Sequence, residues 1–235
     1  MRRAAETVNR VQALGATDYV TAVTRIARVS VLLLLATVAC RHRADTALAA
    51  DTPPLSAWAS QHVVLTPTVF VSTVDSLGWV ATLGGTRGAG RVLDSALAGA
   101  LDARGVAARW ILPAALVATY ERNKTYATDP YLLTADALRL PTFKTGSRFY
   151  DPLASQLRTM IALHEDARFV VMPIALHFER ASGTVAGRAT VRLALLDARS
   201  TEARWVTDVH GDYVADPRGA LTSVAAKLGD LFARP

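Results

Sequence analysis

This 235-residue chain holds one cysteine, Cys40, so no disulfide can staple its fold and stability has to come from packing. Lysine is almost as scarce, at three residues against 23 arginines, in a background rich in Ala, Val, Leu and Gly. That imbalance reads as genome composition rather than as a binding surface. Aromatics make up 7% of the chain, and nowhere do they interleave with a run of Lys/Arg, so no nucleic-acid-binding stripe is present. No apolar run reaches the ~20 residues that a membrane-spanning helix requires. Metal motifs are missing as well: His42, His62, His164, His177 and His210 are scattered, without His-Glu-x-x-His or Cys-x-x-Cys spacing. A Gly-x-Ser-x-Gly nucleophile elbow is absent too. These absences leave no cofactor or metal to expect, and no legible catalytic motif.

The cysteine has a telling position. Arg25 and Arg28 precede the run 29–39, Val-Ser-Val-Leu-Leu-Leu-Leu-Ala-Thr-Val-Ala, which ends at Cys40, and Arg41-His42-Arg43 follow at once. A basic flank, about ten apolar residues and small residues before a cut site are the parts of a secretory signal peptide. Ending on Cys, the segment resembles a bacterial lipoprotein signal. Ala39 and Val38 suit the two positions before the cysteine, while Thr37 stands where that family usually has Leu. The resemblance implies cleavage before Cys40 and acylation of its thiol. Conventional cleavage after Thr37-Val38-Ala39 without lipid is a second reading, and a buried helix that carries a cysteine a third. Arg41, rather than Asp, after the cysteine implies by family analogy the outer membrane, with the protein facing the periplasm. Residues 1–24 are long for a basic region, and Val20 or Val23 is an alternative start.

Of the 26 basic and 20 acidic residues, five and two fall within the first 40, leaving 21 and 18 beyond them. The expected organisation is an extension plus signal over 1–40, a Pro-containing tether over 41–60, and one α/β domain over 61–235. Within that domain, 63–71 reads as a buried strand, with Pro67 demanding an edge or a bulge. The glycine-rich stretch 84–90 reads as a hinge loop, lacking the Gly-Lys-Ser/Thr ending of a phosphate loop. Helical stripes are expected over 91–104, capped by Gly105, then over 113–122, 131–138 and 151–165, the last capped by Asp151. A final helix spans 217–232, and a short strand 108–112.

Alternation over 168–180, 184–197 and 203–213 predicts a three-stranded antiparallel meander. Met172, Ile174, Leu176 and Phe178 should share one face of the first strand. Val185, Val191, Leu193 and Leu195 should do so in the second, and Trp205 and Val209 in the third. A two-residue turn at Ser182-Gly183 would set Phe178 opposite Gly187, Ile174 opposite Val191 and His177 opposite Arg188. In the next hairpin, Leu195 should face Trp205, Arg192 meet Asp208 and Arg188 meet Asp212. The polar face would then carry His177, Glu179, Arg188, Arg192, Asp208, His210 and Asp212, as cross-strand charge pairing or, alternatively, an acid–base cluster. His164-Glu165-Asp166 reads as a solvated helix end.

The resulting fold class is α/β (α+β), a mixed sheet with a C-terminal meander packed by helices. In that order of elements the chain resembles the periplasmic lipoprotein superfamily that includes the curli-secretion channel subunit, the amino-terminal domain of the Tol translocation protein TolB, and lipoprotein activators of penicillin-binding proteins. The stretch 93–105 leading into Arg109-Trp110-Ile111-Leu112 carries the likeness, with the Asp197-containing turn and Trp205-bearing return strand. Thr201 departs from it where Gly is common. The resemblance implies a non-enzymatic docking, assembly or regulatory module with an envelope partner or further copies of itself. A periplasmic hydrolase with dispersed catalytic residues is the alternative.

Overall fold

Apolar, β-branched Val63–Leu65 (β1) runs through the middle of the sheet with all three side chains buried. In this computed structural model, which describes residues 55–164 and 167–233, Pro67 then interrupts the strand. The chain rejoins the sheet at Phe70–Val71 (β2). Thr66 and Val69 N–H still donate to Val171 and Pro173 of the neighbouring strand, so the expected long strand becomes two short ones around a proline that cannot donate.

Two helices follow, α1 (Trp79–Thr82) and α2 (Gly85–Asp102). The glycine-rich stretch is therefore no loop; it forms the first two turns of α2. A Cβ on Gly88 would lie 2.0 Å from the Leu83 carbonyl oxygen, so glycine is what allows α2 to turn off α1 this tightly. The chain continues as β3 (Trp110–Ile111) and α3 (Pro113–Arg122), the latter opened by proline as expected. The helix expected over 131–138 is instead two 3₁₀ turns, Pro130–Leu132 and Asp136–Arg139. Next comes α4 (Leu153–Ala162). Pro152 stands at its N-cap, and Asp151 reaches past it to accept from the Ser155 N–H at 2.9 Å.

The meander forms from β4 (Phe169–Arg180), β5 (Gly187–Asp197) and β6 (Glu202–His210), and α5 (Pro217–Phe232) closes the chain, capped by Asp216 on the Gly219 N–H. The sheet runs β3-β1-β4-β5-β6, with β2 also paired to β4. β1 is parallel to β3 and β4, while β4, β5 and β6 are antiparallel, so the class is α/β with a mixed six-stranded sheet. Helices α2 and α5 cover one face over Leu65, Leu176, Val191, Leu193 and Leu195. The opposite face packs α3, α4 and the 133–149 segment over Val170, Met172, Ile174, Ala194 and Leu196.

Three sequence expectations change here. A bulge between Pro173 and Ala175 turns β4 over, so Met172 and Ile174 face one core and Leu176 and Phe178 the other. Pro173, with no N–H to give the ladder, sits at the bulge, where strand prolines are tolerated. The first hairpin has a six-residue connection, with Ala181 N–H donating to the Ala186 carbonyl. Phe178 consequently faces Ala189, and His177 faces Thr190, two residues from the expected register. A two-residue shift preserves which side chains share a face, which is why the alternation alone did not expose it. Val185 lies in this connection and is exposed. Gly187 is covered not by Phe178 but by Leu77 and the first residue of α1: a Cβ there would come within 2.3 Å of Leu77 and 2.9 Å of Trp79. The second hairpin keeps its expected register, Leu195 facing Trp205 and Val191 facing Val209.

The folded unit also begins earlier than expected. Leu55 and Ala59 are buried in the core, and Leu55 N–H donates to the Leu231 carbonyl at 2.9 Å. The tether that was expected to reach residue 60 therefore gives way to structure by Leu55. Cys40, His42 and the whole signal segment lie outside the described residues.

Candidate binding cleft and the open sheet face

The connection from β1 runs through α2, on one face, to β3. From β3 it passes through α3 and α4, on the other face, to β4 on the far side of β1. The winding thus reverses at β1, and crevices beyond the carboxyl end of such a strand are the usual ligand sites of α/β sheets. A cleft of about 530 Å³ opens there, lined among others by Thr68, Phe70, Thr86, Arg87, Arg91 and Tyr131.

Asp94 lies behind this lining and ties two of its residues together, Thr68 and Tyr131. The residue sits on the buried stripe of α2 beside Leu93 and Leu97, where an apolar side chain is the rule. One carboxylate oxygen accepts from both the N–H and the hydroxyl of Thr68, each at 2.8 Å, and the other faces the Tyr131 hydroxyl at 3.4 Å. Burial pushes the Asp94 carboxyl above its ordinary pKa, and the Thr68 donors hold back part of that rise. Tyr131 is raised as well, by burial first and then by the Asp94 charge. Asp129 is committed to the backbone, accepting from the Tyr131 N–H at 2.9 Å. Arg87 and Arg91 are exposed at the mouth one helical turn apart, with no ion-pair partner among the described residues. Phe70 lies beneath the Arg139 guanidinium, 4.0 Å from its ring centre.

Chemically, the cleft offers two guanidiniums, several hydroxyls and an apolar rim, a set that binds and orients an anionic group. No histidine, cysteine or lysine lines it; Asp129, the one acid in its lining, is tied to the Tyr131 backbone, and Asp94 behind it is tied to Thr68. A nucleophile held against a free base, the requirement for hydrolytic catalysis, is not assembled at this cleft. Sequence reading missed the cleft because its residues are far apart along the chain. The one signal that could have found it was Asp94 at an apolar position of an amphipathic helix.

The open face of the meander carries the polar residues picked out from sequence, joined as a network. Glu179 accepts from Arg188 at 2.6 and 2.8 Å and from the Thr190 hydroxyl at 3.0 Å, with His177 Nε2 at 3.0 Å. Thr190 also contacts His210 Nδ1 at 3.0 Å. Burial pushes the Glu179 carboxyl up, but the donors from Arg188, Thr190 and His177 outweigh it and leave its pKa below the ordinary value. Arg192 meets Asp208 at 3.4 Å as expected, and its guanidinium also donates to the Leu138, Leu140 and Phe143 carbonyls. Arg188 does not reach Asp212, which binds Lys227 at 2.6 Å and Ser223 instead. Asp212 apart, which pairs with α5, the set is one of satisfied pairs along and across the strands, with no unpaired base among these residues. His164 follows the end of α4 half-buried, its pKa pushed down by burial and by Arg122, and Glu165 and Asp166 lie outside the described residues.

β6 is the sheet's edge. Its first residues are covered by the 146–149 segment through Gly146 N–H to Ala203 and the Arg148–Glu202 bridge. The remainder, to His210, has no strand on its outer side among the described residues.

No family model matches the chain, and no curated protein sequence does. Among solved structures, the PelC dodecamer from Paraburkholderia phytofirmans is similar at 17% identity and TM-score 0.37, over 78% of this chain and 94% of that one. A point variant of that dodecamer aligns at 15% identity and TM-score 0.36, over 77% and 94%. Likeness at this level carries no argument about function.

Proposed function

We propose that this protein is an envelope lipoprotein, anchored by acylated Cys40 and facing the periplasm, whose folded unit is a non-enzymatic docking or assembly module. The observation that carries the reading is the order of Arg25 and Arg28, the apolar run and Cys40, followed by folded structure that begins by Leu55. Thr37-Val38-Ala39-Cys40 supplies the cut site and the thiol, and Arg41 in place of Asp favours the outer membrane. The partly open edge of β6 supports docking, since unpaired strand edges recruit further strands. So does the cleft, whose guanidiniums suit an acidic group on a partner. Affinity capture of the anchored protein from native envelope, comparing wild type with an Arg87→Gln/Arg91→Gln variant, tests the docking part. A partner retained by wild type and lost from the variant is the expected outcome, and identical co-purifying proteins would contradict the use of this cleft.

The hydrolase reading draws on the same cleft, with the buried Asp94 carboxyl behind Thr68 and Tyr131. That reading requires Asp94→Asn to abolish turnover of an envelope substrate while leaving the fold intact. Docking by the arginines requires Asp94→Asn to act only through stability.

A further inference from the structure

A second cavity lies at the other end of the sheet, beside the turn that joins β5 to β6. It measures about 460 Å³, and its lining includes Arg148, Arg158, Arg199, Ser200 and Glu202. The three arginines come from different elements: the segment before α4, the exposed side of α4, and the turn itself. None forms an ion pair among the described residues, whereas their neighbours Arg168 and Arg204 are both spent on Asp197, at 2.6 and 3.0 Å. Glu202, the only acid in the lining, is engaged by Arg204 at 3.3 Å. Ser200 and Thr201 of the turn line it too, and Arg148 reaches the Thr201 hydroxyl at 3.5 Å. Asp197 holds the turn by accepting from the Arg199 and Ser200 N–H groups, so Arg199 projects from a fixed base. Three guanidiniums lining one cavity from three elements are the donor set for a phosphate.

The position of this cavity narrows the source of that phosphate. Ala198 N–H donates to the Arg168 carbonyl, and the next residue, Phe169, packs edge-on against Trp58 with ring centres 6.2 Å apart. Trp58 belongs to the turn Ser56–Trp58, through which the chain arrives from Cys40. The arginine cavity and the arriving chain therefore share one end of the sheet, and the 14 residues between Cys40 and Leu55 span at most about 50 Å.

We propose that the Arg148–Arg158–Arg199 cavity binds the phosphate of an anionic phospholipid headgroup in the membrane that holds the anchor. The choice of a lipid phosphate over a free one rests on the lipid-anchor reading, whereas the cavity's affinity for phosphate does not. The test is co-sedimentation of residues 41–235, which retain the whole folded unit and carry no lipid, with vesicles of phosphatidylcholine alone or mixed with phosphatidylglycerol. Binding to the anionic vesicles only is expected. An Arg148→Gln/Arg158→Gln/Arg199→Gln variant should lose on the order of 100-fold in affinity, as three basic side chains at a charged surface imply. A control with Arg180→Gln and Arg218→Gln, at the opposite end of the sheet, should keep wild-type binding. If the triple variant fails to fold, Arg158→Gln alone, on the exposed side of α4, should still lose about fivefold. Equal sedimentation with both vesicle types, or an equal loss in the control, overturns the proposal. Saturation by inorganic phosphate without vesicle binding overturns the lipid source. Failure of the anchor itself would show separately, as an unmodified Cys40, without touching the vesicle result.

Discussion

Asp197 is the residue whose loss the fold should feel most sharply. It is fully buried at the end of β5, yet it accepts from Arg168 at 2.6 and 3.1 Å, from Arg204 at 3.0 Å, and from the Arg199 and Ser200 N–H groups at 3.1 and 3.2 Å. Burial pushes its carboxyl up, but the Arg168 guanidinium, the Ser200 N–H and Arg204 more than reverse this and hold it far below the usual carboxylate range. Asp197→Asn keeps an oxygen for the turn but surrenders the charge, and it turns an amide toward two guanidiniums. Removing one partner of a buried ion pair costs roughly 3–5 kcal/mol. Because Arg168 and Arg204 are 45% and 36% exposed, water relieves them, and we expect about 2–3 kcal/mol. Asp197→Ala also strands two turn N–H groups and should cost about 1 kcal/mol more. For a unit of this size that is a fall in Tm of roughly 5–10 °C. The sign of the pH dependence follows from the depressed pKa. The contribution is complete above the unfolded value of about 3.9 and is lost as pH falls through the folded value. Denaturant titrations of wild type and Asp197→Asn should therefore differ most at neutral pH, with the gap beginning to close only below about pH 4. A gap below about 0.5 kcal/mol, or one that does not change with pH, would refute the reasoning.

Two further perturbations address other parts of the fold. Helix propensity alone makes Gly88→Ala stabilising by about 1 kcal/mol. The Leu83 carbonyl at 2.0 Å from the new Cβ instead predicts destabilisation by about 1–3 kcal/mol, and a thermal melt gives the sign directly. Arg192→Ala removes the donor to three carbonyls in the 138–143 segment, so amide exchange there should quicken on the order of tenfold while the β5 core stays protected. Uniform quickening across the unit would show that Arg192 supports the whole sheet rather than that segment.

Legibility from sequence followed the range of the physics involved. The final helix, the α3 start at Pro113 and the β5–β6 register were readable because periodicity, a proline and matching faces are local signals. The β4–β5 register was not, since a two-residue slip leaves both faces chemically unchanged. The Pro173 bulge is masked in the pattern because the apolar residues on either side of it alternate without a break, although its missing N–H acts as that of Pro67 does. Gly84-Gly85 and Gly88 read as a hinge on composition, while Gly84 and Gly85 supply positive φ where α2 begins and Gly88 supplies close approach to Leu83, a tertiary constraint. The cleft residues Thr68 and Tyr131 and the Asp94 behind them are brought together only by the crossover, and of these Asp94 alone left a trace in the pattern. The meander's polar face was legible as a set, but its pairing had to wait for the true register.

Mass spectrometry of the amino-terminal peptide of the protein purified from its native envelope tests the central claim most directly. The account predicts a peptide that begins at Cys40 and carries a diacylglyceryl group on the thiol, with membrane retention lost in Cys40→Ser. A peptide with an unmodified Cys40, or a Cys40→Ser protein that stays in the membrane fraction, would contradict it.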